Sequence, residues 1–150
     1  MLPQDQRSIE GQLRALTDTA RLDALSKSGL KDSVPEKIFN RAVQLATQIT
    51  GHPVELLSLV DGTRQFFKAE TDLGGDAEKD RGTPLSHSFC QYVVATQSEF
   101  MVTDSVNDRR IHDNSAVADL GVAAYLGVPV RSSDGHILGS LSVIDNEPHD

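Results

Sequence analysis

The stretch VELLSLVDGTRQFFKAET, residues 54–71, decides the fold class of this chain. An apolar run ends at the pair Asp61-Gly62, and a second short run carrying two phenylalanines follows it. Two such runs across an Asp-Gly pair predict a β-hairpin. The same pattern returns near the end of the chain, where 122–131 and 136–145 flank Ser-Ser-Asp-Gly. We therefore expect two hairpins.

Two helices are expected before the first hairpin. Ser8 is a suitable cap for the first, whose apolar residues recur at spacings of three and four: Ile9, Leu13, Leu16 and Ala20. This stripe is narrow, so a surface helix and a dimerisation helix fit it equally well. The second helix begins at 33–36, Ser-Val-Pro-Glu, which has a capping serine and a glutamate three residues later. Its apolar residues predict one broad face: Ile38, Phe39, Ala42, Leu45, Ala46 and Ile49.

The segment between the hairpins is long and irregular. Its composition predicts a mobile loop over 71–84, a short helix over 85–96, an edge strand over 100–103 and helix-like fragments over 107–120. With the helices and hairpins, this order predicts an α+β fold, a mostly antiparallel sheet with helices segregated on its faces. Long irregular segments in compact domains tend to be binding loops or lids. We expect this one to cover one face of the sheet and to enclose a ligand cleft.

The composition excludes several classes of function. The chain has 150 residues, one domain's worth, with 22 acidic and 14 basic residues and a net charge of −8, so nucleic acid is not expected as a partner. Its single cysteine, Cys90, forbids an internal disulfide, and no apolar run is long enough to span a bilayer. We expect no membrane partner and a cytoplasmic location.

Four stretches, in this order, resemble the GAF domains of bacterial signalling proteins: 54–61 with 65–68, then 88–90, 124–130 and 134–145. The resemblance runs from about residue 21 to residue 148. It implies a GAF-like (profilin-like) central antiparallel sheet of five or six strands, with helices on one face. On the other face, an irregular roof of helices and loops encloses a small-molecule pocket.

The resemblance also implies a role and partners. GAF domains sense small molecules and pass a signal to an output domain such as a histidine kinase, a diguanylate cyclase or a phosphatase. Many dimerise through their terminal helices, so a homodimer is expected. The long helix that often follows the last strand is missing here, and we interpret 1–150 as a single GAF domain from a larger signalling protein. A ligand-free dimerisation scaffold and a redox sensor acting through Cys90 are the alternatives.

Strand alternation nominates four pocket residues. Ser58 lies on one side of its strand, Ser140 and Ser142 share a side of theirs, and Tyr125 lies beside the small residue Gly127. Polar groups in central strands need partners, which a ligand, a water, or equally the neighbouring backbone can supply. The resemblance adds residues from segments that it implies lie near the cavity: Phe67, His87, Phe89 and Cys90.

Enzyme chemistry is not expected. His87 lies three residues before Cys90, but a buried small thiol and a loop histidine explain the pair better. The GAF branch that reduces free methionine sulfoxide uses several cysteines, and this chain has one. The five histidines are scattered, without metal-ligand spacing. No covalent bilin is expected, because 111–120 has no cysteine, whereas haem and cyclic nucleotides stay open as ligands.

Overall fold

A computed structural model describes residues 13–30, 36–50, 54–71 and 81–149 of the chain. Its centre is a six-stranded sheet in the order β3-β2-β1-β6-β5-β4, in which every neighbouring pair is antiparallel. The strands are β1 Val54–Val60, β2 Arg64–Thr71, β3 Gly82–Pro84, β4 Phe100–Val102, β5 Ala124–Arg131 and β6 Ile137–Asp145. The prediction of an α+β fold built on an antiparallel sheet of five or six strands is confirmed.

The two predicted hairpins are present and lie side by side. β1 pairs with β2, and β5 pairs with β6. The hairpins join where β1 pairs with β6, so that Ser58 lies directly opposite Ser140. In the first turn, the Asp61 carboxylate accepts hydrogen bonds from the backbone amides of Thr63 and Arg64, both at 2.7 Å. Because β1 and β6 are the central strands, their side chains lie furthest from solvent.

Two α-helices pack on one face of the sheet. Helix α1, Thr19–Ser28, has Asp18 as its N-cap and ends at Gly29, whose φ of 69° is left-handed. It packs Leu25 on Leu59, Phe66 and Leu138. Helix α2, Lys37–Thr50, packs Phe39 and Val43 on a second apolar cluster of this face, formed by Leu57, Ala69, Val130 and Leu141. Both helices therefore cover the face opposite the serines of β1 and β6.

The predicted single apolar face of α2 is wrong. Val43 is fully buried against the sheet, whereas the side chains of Ile38, Leu45 and Ile49 are 72%, 56% and 74% exposed. The helix lies mainly over β1 and β2 and packs on the sheet through Phe39 and Val43. Ile38, Leu45 and Ile49, together with the exposed Ala42, form an exposed stripe beside the buried Val43.

The chain before α1 also differs from the prediction. Instead of one helix reaching Ala20, a 3-10 helix, Leu13–Thr17, ends before Asp18, and α1 begins after it. Asp18 breaks the run because its carboxylate accepts a hydrogen bond from the Arg21 amide at 3.0 Å, as a cap does. Ser8, Ile9 and the proposed start of the second helix at 33–35 lie outside the described residues.

The segment 85–122, called the roof below, covers the other face of the sheet. It holds α3, Cys90–Thr96, and α4, Ser115–Asp119, with two 3-10 turns, Leu85–His87 and Ser105–Asn107. The predicted helix over 85–96 is therefore two pieces, with a break at Ser88 and Phe89. The predicted edge strand is confirmed as β4. Strand β3, in contrast, lies inside the predicted loop 71–84, of which 72–80 are not described.

Candidate functional site

A buried hydrogen-bond network joins the sheet to the roof. The Ser58 hydroxyl of β1 and the Ser88 hydroxyl of the roof both donate to Oε1 of Gln65, at 3.0 and 2.8 Å. Nε2 of Gln65 donates to Thr83 Oγ1 at 2.8 Å. All four side chains are at most 8% exposed. One amide on β2 therefore links two strands of the sheet to the first turn of the roof.

A second buried cluster surrounds the phenol of Tyr125. Its oxygen donates to the Cys90 sulfur at 3.4 Å and lies 3.1 Å from Ser140 Oγ. The Cys90 sulfur lies 3.7 Å from Ser142 Oγ. Burial, and then the neighbouring Cys90, raises the pKa of Tyr125 well above its ordinary value, so the phenol stays protonated and remains a hydrogen-bond donor.

Gly127 makes room for this phenol. A Cβ at Gly127 would meet the Tyr125 hydroxyl and Ser140 Oγ, the latter at 2.6 Å. The ring thus extends along its own strand over a position without a side chain, which brings its hydroxyl to Ser140. The small residue beside the ring, noted in the sequence, has this packing role.

Aromatic rings close the interior on the roof side. The Phe89 ring meets Tyr125 edge to face, with the ring centres 5.5 Å apart, and lies 6.0 Å from Tyr92. Tyr92 in turn lies 5.2 Å from Phe100 of β4. Edge-to-face pairs of this kind add to the stability given by burial alone. The interior between roof and sheet is thus occupied by the protein's own side chains.

The two networks consist of uncharged groups, whereas buried charges lie elsewhere. Lys68, fully buried at its ammonium end, forms an ion pair with Glu36 beside α2. The Arg21 guanidinium of α1 donates to the carbonyls of Leu16 and Val60, at 2.8 and 2.6 Å, and burial lowers its pKa. Burial raises the pKa of Glu55, on the helix face of β1, to about 7. The polar groups that the two networks place in the roof-side interior are accordingly hydroxyl, amide, thiol and phenol groups.

A family model for the GAF domain matches residues 34–150, more than three quarters of the chain. The chain belongs to the GAF domain family. The two hairpins and the roof described above are the parts of the molecule that this match covers.

A curated protein of known name is similar to this chain in sequence. The GAF domain is 36% identical, over 121 residues, to a cyclic di-GMP phosphodiesterase of Pseudomonas aeruginosa, a match that covers 80% of this chain and 20% of that protein. The chain thus spans a fifth of the length of this curated relative.

Two solved structures show the same fold. One is the GAF domain of an Acinetobacter phosphoenolpyruvate-protein phosphotransferase, with a TM-score of 0.60, 19% identity and coverage of 89% of this chain and 82% of that one. The other is the type II free methionine-R-sulfoxide reductase of Thermoplasma acidophilum, with a TM-score of 0.57, 13% identity and 73% coverage of both chains. These likenesses concern the fold, which one of the two neighbours shares as a reductase and the other as a GAF domain of a phosphotransferase.

The GAF domain brings five of the eight predicted pocket residues into direct contact with one another. They are Phe89, Cys90, Tyr125, Ser140 and Ser142. Ser58 is buried opposite Ser140 and reaches the Gln65 network, and Phe67, 2% exposed, pairs with Ser58 in the sheet register. His87 lies outside the interior, at the surface of the roof. Whether these residues bind a ligand stays a prediction.

The sequence reasoning missed Gln65, Ser88 and Asn114. Nδ2 of Asn114 donates to the Ser88 carbonyl at 3.0 Å and to the Tyr92 hydroxyl at 2.9 Å, both buried. A signal was available for Gln65, because it lies two positions before Phe67 and therefore on the same side of the strand. Asn114 gave no such signal, because its partners Tyr92 and Ser88 are 22 and 26 residues away in the sequence.

Neither a metal site nor a membrane span is found in the described part of the chain. No group of three histidine, cysteine, aspartate or glutamate side chains there is arranged to hold a metal ion. Within the same residues, every helix is too short or too polar to cross a bilayer.

Proposed function

We propose that this GAF domain is a non-catalytic sensory module that binds a small molecule between its roof and its sheet. The observation that carries the proposal is the pair of buried polar networks around Gln65 and Tyr125. Burying polar groups is unfavourable unless they are hydrogen-bonded, so an apolar core would stabilise the fold more simply. Hydroxyl, amide and phenol groups that now bind one another can instead bind a ligand when the roof moves.

A path for transmission runs from this interior to the N-terminal side of the domain. Phe89, Cys90 and Val93 of the roof belong to the same apolar cluster as Leu16 of the first 3-10 helix. Arg21 of α1 then ties this 3-10 helix to the carbonyl of Val60 on β1. A shift of α3 on ligand binding would therefore move the 3-10 helix Leu13–Thr17, which precedes the sheet.

The wider roles belong to the same proposal. We infer a cytoplasmic domain that forms a homodimer through its helices and regulates an output domain such as a kinase, a cyclic di-GMP enzyme or a phosphatase. The curated relative is a cyclic di-GMP phosphodiesterase, which supports a cyclic di-GMP enzyme as the output domain. A cyclic nucleotide and haem belong among the ligands to be tested.

The test is a thermal-shift screen of the purified domain against cellular metabolites, cyclic nucleotides and haem. A ligand present at about 100 times its dissociation constant stabilises the fold by about 2.7 kcal/mol. We expect Ser140→Ala, which removes a hydroxyl from the interior, to weaken the shift caused by any hit. The matched control, Ser98→Ala, removes an exposed hydroxyl from the turn after α3 and should leave the shift unchanged. Equal shifts in both variants would contradict binding in this interior.

The filled interior favours a second candidate, a ligand-free dimerisation scaffold. Ile38, Ala42, Leu45 and Ile49 form the exposed stripe of α2, with spacings of four, three and four residues. This is the spacing of a coiled-coil seam, which is complementary to an identical helix, so we infer a second copy of this chain as its partner. The dimer is tested by light scattering after size-exclusion chromatography.

For that experiment, Leu45→Glu places a charge in the stripe, and Gln44→Glu places the same charge beside it. The scaffold predicts a dimer that Leu45→Glu dissociates and Gln44→Glu preserves. A monomeric wild-type domain at high micromolar concentration would refute it. The third candidate, a redox sensor, is not proposed, because Cys90 is only 2% exposed and the chain has no second thiol.

A further inference from the structure

The roof consists of two lobes that meet along a seam. The first lobe, 85–99, carries the turn Leu85–His87 and helix α3, and the second, 103–122, carries α4. Strand β4 separates the lobes in sequence and holds one end of each at the edge of the sheet. At the other end, the lobes meet where the first turn of the roof packs against α4.

The apolar cluster of the interior includes residues of both lobes, Phe89 and Val93 of the first and Ile111 of the second, and two polar side chains bond across the seam. Inside, the Asn114 side chain donates to Ser88 and Tyr92. At the surface, Nε2 of His87 lies 2.7 Å from Oδ2 of Asp119, the last residue of α4, while Nδ1 of the same ring lies 2.9 Å from the Ser86 hydroxyl. Both ring nitrogens are therefore engaged, which orients the imidazole across the seam.

The interior lies directly behind the seam. Ser88, the residue after His87, is a member of the Gln65 network, and Cys90, two residues further, contacts Tyr125 and Ser142. Moving the turn Leu85–His87 away from α4 would separate Ser88 from Gln65. It would also expose the start of α3, since Cys90 is its first residue.

We propose that this seam is the gate through which a small molecule reaches the interior, and that the His87–Asp119 pair is its latch. The inference rests on the proposed sensory function and adds to it the point of access. Two polar restraints hold the lobes together. Asn114 bonds to the first lobe in the interior, and the His87–Asp119 latch adds a second restraint at the surface. An exposed pair of this kind changes an opening equilibrium by about twofold to fivefold.

Cys90 gives a direct measurement of gate opening, because it is the sole cysteine of the chain and is buried. A disulfide reagent such as dithiobis(nitrobenzoate) reacts when the Cys90 thiolate attacks its disulfide bond and releases one thionitrobenzoate, which is measured by absorbance. If the gate opens locally, the labelling rate will be independent of urea at low concentrations, whereas labelling through global unfolding rises with urea in proportion to the surface exposed.

We expect His87→Ala and Asp119→Ala each to accelerate labelling by about twofold to fivefold. The double variant should be no faster than the faster single variant, because each change removes the same interaction. Asp113→Ala, which removes an exposed carboxylate from the second lobe, is the control and should label like the wild type.

Two results would overturn the gate. The first is wild-type labelling that follows global unfolding at all urea concentrations. The second is a pair of latch variants that label at the rate of Asp113→Ala while unfolding at the same urea concentration as the wild type. The assay needs no ligand, so an active gate with an empty metabolite screen would count against the sensory function and leave the gate intact.

Discussion

Glu55 provides a sharp test of the sheet geometry, because it is a carboxyl group on a central strand with only 2% of its surface exposed. Burial raises its pKa from an ordinary value of 4.5 to about 7. The folded state therefore holds this proton more tightly than the unfolded state does. The stability that the protonated Glu55 contributes is therefore fully present below about pH 4.5 and is lost as the pH rises through about 7. The difference between the two pKa values corresponds to at most about 3 kcal/mol in the free energy of unfolding.

The variant Glu55→Gln keeps the shape of the protonated side chain and cannot ionise. We expect the variant and the wild type to have similar free energies of unfolding at pH 4.5. The variant should become more stable than the wild type as the pH rises, by about 2–3 kcal/mol at pH 8. Other titrating groups are common to both proteins and cancel in the comparison.

Urea unfolding between pH 4.5 and pH 8, followed by circular dichroism, measures this difference. Glu99→Gln, which removes an exposed carboxyl group, is the control and should show no such growth with pH. A constant difference between Glu55→Gln and the wild type across this range would refute the reasoning, because it would mean that Glu55 titrates alike in the folded and unfolded chains.

Three further changes test buried contacts by urea unfolding, two of them on the roof side and one in α1. Gly127→Ala should destabilise the domain by about 1–3 kcal/mol, since its Cβ would collide with Tyr125 and Ser140. Tyr125→Phe leaves the Ser140 and Cys90 hydrogen-bonding groups without the phenol and should cost about 1–2 kcal/mol. Arg21→Met should cost about 3 kcal/mol and raise amide exchange in the first 3-10 helix, whose carbonyls lose their donor; unchanged exchange there would contradict this role.

The parts of the fold that were predicted correctly are those set by local pattern. The two hairpins follow from short apolar runs across turns, and their place in one antiparallel sheet follows from the family resemblance, whereas the pairing of β1 with β6 is seen only in the structure. Strand β3 was missed because three residues at a sheet edge carry no periodicity of their own. They pair with Arg64–Phe66 of β2, which is a tertiary interaction.

Amphipathic pattern also overestimated how much of α2 is buried. The spacing of Ile38, Leu45 and Ile49 marks an apolar face, and it cannot tell whether the sheet or another molecule covers that face. In the structure, the sheet takes only the strip around Val43. Periodicity also failed to locate the start of α1. The apolar repeat continues through Asp18 in the sequence, but the Asp18 carboxylate caps α1 and ends the preceding 3-10 helix there.

Among the candidate site residues, strand alternation worked where the backbone is regular. It put Ser140 and Ser142 on the same side of their strand, and in the structure both lie beside the Tyr125–Cys90 pair. His87 follows a different rule, because a 3-10 turn precedes α3 and directs its ring to Asp119 at the surface while Ser88 enters the interior. Irregular backbone does not keep a fixed period, and side-chain directions in the roof could not be derived from spacing.

The occupied interior and the proposed sensing are consistent only if opening and binding are one equilibrium. A ligand that replaces the contacts among Gln65, Ser88 and Tyr125 must bind a state in which the roof has moved. Its apparent affinity is then lowered by the small population of that state. A variant that weakens the latch raises this population and should tighten binding by the same factor by which it speeds Cys90 labelling. Proportional changes would support one shared equilibrium, whereas faster Cys90 labelling with unchanged affinity would show that the ligand does not bind the opened state.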